Sequence, residues 1–249
     1  MVGCVQVHLG DRFHRRLRRA LPITSLGTFA LMMGICYHFY DDRRPGRPLQ
    51  SVSSYAVGPW NPEYGPALPN LSIFRTGVGV LLPQMAFVLG GRHVLLRAAS
   101  PKPRSASSCN AYRMLLLASL GFAFLSGVSL CGVAAVTYYD NGPHHYGYAA
   151  ACYFFLLVSQ FLESVAIGCV VRPGRGSRRP GLLLLGWGGA CIVGAASCLV
   201  AHVVVYHPPL QWAGSVLGLA YYLTDSADLL ARLASASEAR MHDFACNSM

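Results

Sequence analysis

The segment 137-TYYDNGPHHYGYA-149 puts two adjacent histidines, His144 and His145, a few residues after a carboxylate, Asp140. Histidine beside a carboxylate can serve as an acid–base pair or hold a metal. Other polar residues flank the chain's apolar runs in the same way. His38 lies at the end of the first run and Asp41 and Asp42 follow it, Arg75 lies near the start of the second, and Tyr206 and His207 follow the fifth. Arg75 can snorkel to a membrane surface, pair with a carboxylate, or grip a lipid phosphate with its planar fork. For the histidines, a wet helix end is an equally simple reading. A second set, Glu163, Asp225 and Asp228 with Gln84 and Gln160, falls deep inside apolar runs. Carboxylates at such depth are expensive, and a proton-coupled transporter uses them. Hydrogen bonding between helices, or solvation at the membrane edge, accounts for them without function. No basic residue within the runs is expected to pair with them. Asp225 and Asp228, three apart, share one helix face.

The elements that must position these residues are long. Hydrophobic residues make up 53% of the 249-residue chain and charged residues only 12%, about half the charged fraction of a soluble domain. Crossing a bilayer takes about 20 mainly apolar residues. Six runs meet that length, at 21–40, 71–95, 112–137, 147–171, 182–205 and 210–231. The expected fold is therefore all-α: a polytopic six-helix membrane protein, since lone strands cannot satisfy their backbone in lipid. The net charge of +10 sits in short clusters between runs. Sixteen of the twenty Lys and Arg residues fall on one side, in the N-terminal tail, the second and fourth loops and the C-terminal tail. Arg92, Arg97, Lys102 and Arg104 are counted in the second loop. The positive-inside bias then places both termini in the cytosol and the histidine-bearing ends on the lumenal side. The expected organisation is a basic tail at 1–20, a transmembrane domain at 21–231 with a lumenal loop at 41–70, and a tail at 232–249. This clustering argues against a nucleic-acid partner.

Nine cysteines without a CxxC pair argue against a zinc site or a disulfide framework. No phosphate-binding loop, HExxH or GxSxG motif is present, so no cofactor and no metal is expected. The sequon at Asn70 lies close to the second helix and is expected to be unused. The glycines of the third and fifth runs are expected to let helices approach closely.

These landmarks resemble the Frag/DRAM/Sfk membrane family over roughly 21–230. Ser51-Val52-Ser53-Ser54 followed by Gly58 is similar to the family's serine segment in the first lumenal loop. Arg75 in Ile73-Phe74-Arg75 is similar to the arginine opening its second helix, and His144 or His145 to the histidine before its fourth. Tyr206-His207 with Ala213-Gly214 is similar to its fifth loop and sixth helix. The chain departs from the pattern at Gln50, where the family has proline, and at Leu223, where it has glutamate. The nearest likeness is to the branch acting on GPI anchors after their attachment to protein. That implies lipid remodelling of GPI anchors in the Golgi or endoplasmic reticulum, with membrane lipids and GPI-anchored proteins as partners. On that reading Arg75, His144, His145 and His207 line a headgroup site shaped by Ser53 and Ser54, and no catalytic residue is assigned. Membrane-protein partners fit the same reading. A DRAM-like regulator in the lysosomal or plasma membrane, and the transporter noted above, are the alternatives.

Overall fold

The computed structural model describes residues 20, 22–38, 52, 56, 60–61, 65–66, 68–98, 106–137, 139–170 and 178–222. Residues 22–38 form helix α1. A two-residue antiparallel pairing follows, β1 (Trp60–Asn61) with β2 (Gly65–Pro66). Five helices complete the described fold: α2 (Leu68–Ala98), α3 (Ala106–Ala135), α4 (Gly142–Val170), α5 (Arg178–Val205) and α6 (Pro208–Ala220). The helices from α2 onward overlap the expected runs, but α2 to α5 start three to six residues earlier. Hydropathy finds the apolar centre of a helix, whereas its ends are set by capping.

Among the described residues, four helices are long and apolar enough to cross a membrane: Asn70–Val94, Asn110–Ala135, Gly142–Cys169 and Leu184–Val205. They expose large apolar side chains, among them Phe87, Phe124, Phe154 and Val203, a surface suited to hydrocarbon rather than water. The expected sixth run, which reaches residue 231, extends beyond the described residues, as do Asp225 and Asp228.

α3 packs along α4, α6 along α5, and α2 and α5 flank this arrangement. Small hydroxyl residues hold α3 to α4. Ser119 Oγ donates to the Ser159 carbonyl at 3.0 Å, and Ser159 Oγ donates to the Ser119 carbonyl at 2.8 Å. Ser126 Oγ adds a bond to the Cys152 carbonyl at 2.9 Å. Between apolar helices, such bonds supplement close packing. The expected close approach of helices at glycine occurs at Gly188, where a Cβ would lie 3.1 Å from the Tyr221 ring.

Two cores appear among the described residues. One, at the end where α1 and α3 finish, gathers Met32, Met33, Cys36, Phe74 and Ala134 with Val52 and Ala56. The other gathers Val88, Cys191, Ala220, Tyr221 and Tyr222.

The histidine pair lies in the first turn of α4 rather than in a loop. Asn141 caps that helix: its Oδ1 accepts from the His144 amide at 3.1 Å, and its carbonyl accepts from the His145 amide at 3.0 Å. Pro143 is tolerated there because first-turn amides have no helical partner. Asn141→Ala is expected to cost about 1 kcal/mol, lowering a thermal midpoint in detergent by about 2–4 °C.

Candidate functional site at the histidine-bearing end

The corner between α3 and α4 is built from its own polar groups. Thr137 Oγ1 donates to Asp140 Oδ2 at 2.6 Å, and the Asp140 amide donates back to Thr137 Oγ1 at 3.1 Å. The Asp140 carboxylate therefore turns the chain.

α3 ends with carbonyls that have no helical donor. Two sequence-predicted site residues take three of them in succession. Arg75 donates through Nε to the Ala134 carbonyl at 2.8 Å and through Nη2 to the Ala135 carbonyl at 3.2 Å. His145 Nδ1 lies 2.8 Å from the Val136 carbonyl. A carbonyl only accepts, so Nδ1 is the donor in this bond. His145 is 1% exposed, and Nε2 has no hydrogen-bond partner among the described residues. Because α2 begins at Leu68, Arg75 lies about two turns inside it, deeper than its run boundary implied. A cation there also complements the negative end of the α3 dipole. Arg75 as a whole is exposed, and its fork has five donors, so the nitrogen not turned to α3 is available to an anion.

His144 and His207 differ from this pair. Both are exposed, and neither imidazole hydrogen-bonds among the described residues. His207 is the N-cap of α6, extended at φ −105° and ψ 101°, as expected before Pro208. Its carbonyl accepts from the Leu210 amide and lies 3.0 Å from His202 Nδ1. Tyr206, just before it, has φ +45°, a left-handed conformation costly for a residue with a side chain. No contact joins His207 directly to Arg75 or His145 among the described residues.

Ser53 and Ser54 lie outside the described residues. Their neighbour Val52 is buried, and its amide donates to Gln211 Oε1 at 3.0 Å. Gln211, four residues past His207, was not singled out from the sequence. A bond spanning 159 positions has no local signature. Val52 and Gln211 share the lining of a cavity of about 110 Å³ with Phe29, Phe74, Val133 and Tyr153. Asn70 is buried and its Nδ2 donates to the Cys36 carbonyl at 2.8 Å, a placement that leaves no room for a glycan.

Glu163 requires a correction. Expected to lack a basic partner, it is ion-paired with Arg92, whose Nε donates to Glu163 Oε1 at 2.6 Å. Arg92 is not in the second loop: it lies inside α2 and is 4% exposed, as is Glu163. The guanidinium carbon stands 5.2 Å from the Tyr221 ring centroid and 5.5 Å from that of Tyr222. Beside it, Gln160 Nε2 donates to the Gly218 carbonyl at 2.7 Å, and Trp187 Nε1 donates to the Ala220 carbonyl at 3.2 Å. These bonds receive the last carbonyls of α6, so the network fastens α2, α4, α5 and α6. Gln84 is likewise bonded, to Thr28 across α1 and α2 at 3.2 Å.

Among the described residues no three of His, Cys, Asp and Glu gather as a metal site. What these features define is an all-helical protein with four helices able to cross a membrane, and with a histidine- and arginine-bearing end built over a small interior cavity. No protein-family model matches the chain, and no curated protein or solved structure is similar to it.

Proposed function

We propose that the chain is a six-span membrane protein of the secretory pathway, with both termini cytosolic, that serves GPI-anchor lipid remodelling. Its lumenal end binds the lipid headgroup, and membrane lipids and GPI-anchored proteins are its partners. The supporting observation is that the described landmarks of the Frag/DRAM/Sfk resemblance belong to one end of the helices. Arg75 and His145 clasp the end of α3, Val52 beside the serine segment is tied to Gln211, and His207 opens α6. Their chemistry suits an anionic headgroup: a fixed guanidinium with donors to spare, and two exposed imidazoles.

Expressing the chain in cells that lack the GPI-remodelling factor tests this reading. Restored surface levels of GPI-anchored proteins are expected. No rescue by a stable protein resident in the Golgi or endoplasmic reticulum rejects it, and residence in lysosomes or plasma membrane favours the DRAM-like regulator. The transporter alternative loses one of its three carboxylates, because Glu163 is engaged by Arg92. Full activity after Asp225→Asn would remove its main support.

A further inference from the structure

A second concavity, of about 620 Å³, opens between α4 and α5 and is closed at one side by Gln211 of α6. Its walls are Ala150, Phe154 and Leu157 of α4 with Ala196, Val200 and Val203 of α5. Both helices belong to the four able to cross a membrane. Phe154 is 60% exposed and Val203 80%, so the groove faces outward, towards whatever surrounds the helices.

Three features give its occupant a shape. The first is length: from Tyr146 to Leu157 α4 advances about 16 Å, half of a ~30 Å hydrocarbon core and so the depth of one leaflet. The second is polarity. Most of the lining is apolar: Tyr146, His202 and Tyr206 lie at the end where α4 begins and α5 finishes, Gln211 sits on the α6 side, and Tyr153 lies deeper with its hydroxyl bonded to Ser215 Oγ at 2.6 Å. Tyrosine rings at that level suit the boundary between headgroups and acyl chains. The third is room: Ala149, Ala150 and Ala196 are small where larger side chains would fill the space. Tyr206 stands at the mouth in its left-handed conformation, with its ring 5.6 Å from that of His202.

We infer that this groove holds one acyl chain of a bilayer phospholipid, entering sideways from the lumenal leaflet, with its headgroup at Tyr146, His202 and Tyr206. Hydrocarbon is the medium in contact with this face of a spanning helix pair. A chain in the groove touches protein on several sides, whereas one on a convex helix face touches it on one, and the added contact makes this a site rather than general solvation. Gln211, Tyr153 and Ala149 line both the groove and the interior cavity, so this wall separates the bound chain from the space beneath Val52. The inference rests on α4 and α5 crossing a bilayer and, for the choice of leaflet, on the orientation proposed above, but not on the GPI assignment.

The full chain is reconstituted into phosphatidylcholine vesicles containing a phosphatidylcholine with a diazirine on its acyl chain. After irradiation, cross-linked peptides are quantified by mass spectrometry. Labelling at 149–157 and 196–204 is expected to exceed that on the exposed α3 face at Leu117 and Phe124 by about tenfold. Ala196→Phe fills the groove and is expected to remove that excess, whereas Leu117→Phe leaves it intact. Ala150→Phe, on the groove's other wall, is the second variant if Ala196→Phe does not fold. Equal labelling of both faces in the wild-type chain overturns the inference, as does an undiminished excess in a folded groove-filled variant. Failed rescue of GPI remodelling alongside groove-specific labelling rejects the GPI reading alone.

Discussion

Arg92→Ala is expected to destabilise the protein by about 3–5 kcal/mol, the cost of leaving a buried carboxylate without its counter-ion. Glu163→Ala, which strands the guanidinium instead, is expected to cost about as much. The pair lies between apolar helices, both residues 4% exposed, with two tyrosine rings beside the guanidinium. Water cannot replace the lost partner there. Removing both charges at once, as Arg92→Met with Glu163→Leu, is expected to recover most of the loss, because the desolvation cost of both ions disappears with their attraction. Arg92→Lys is not equivalent, since an ammonium lacks the flat face that lies against Tyr221 and Tyr222. Thermal or denaturant unfolding in one fixed detergent measures the cycle. Single variants as stable as wild type would show that the pair does not fasten α2 to α4.

Arg75→Ala carries the second large effect, of about 2 kcal/mol, through loss of charge-assisted bonds to the Ala134 and Ala135 carbonyls. The loss has a place as well as a size. Amide hydrogens at 136–145 are expected to exchange faster, because the corner loses one of the two side chains clasping the end of α3. Arg75→Lys is expected to recover less than half, since one ammonium on a flexible stem cannot reproduce a fork held across two carbonyls. Unchanged exchange in Arg75→Ala would mean that His145, Thr137 and Asp140 hold the corner without it.

The difference between these sites shows what the sequence reveals. Six apolar runs, the shared end of Arg75 and the histidines, and helices rather than strands all follow from length, hydropathy and alternation of charge. The Arg92–Glu163 pair does not, because it joins residues 71 positions apart and depends on which helices are neighbours. Counting Arg92 as a loop charge hid it, although the second run, 71–95, already contains it. Ser119 and Ser159 escaped notice for a related reason: hydroxyls scattered in apolar helices have no pattern until the helices are set side by side. Arg75 is conspicuous in the sequence for its charge, but its grip on α3 is not legible there, because it depends on where α3 ends.

The headgroup-site proposal is tested most directly at His207. Its imidazole is exposed and makes no hydrogen bond among the described residues, so its loss leaves the fold intact, unlike loss of Arg75. Wild-type and His207→Ala chains are expressed at matched levels in cells lacking GPI-lipid remodelling, and the lipid composition of the anchors is measured by mass spectrometry. The account predicts that the wild-type chain restores remodelled anchors and that His207→Ala restores about tenfold less. Full restoration by His207→Ala, and by an Arg75→Ala chain of equal abundance, would contradict a headgroup site at this end.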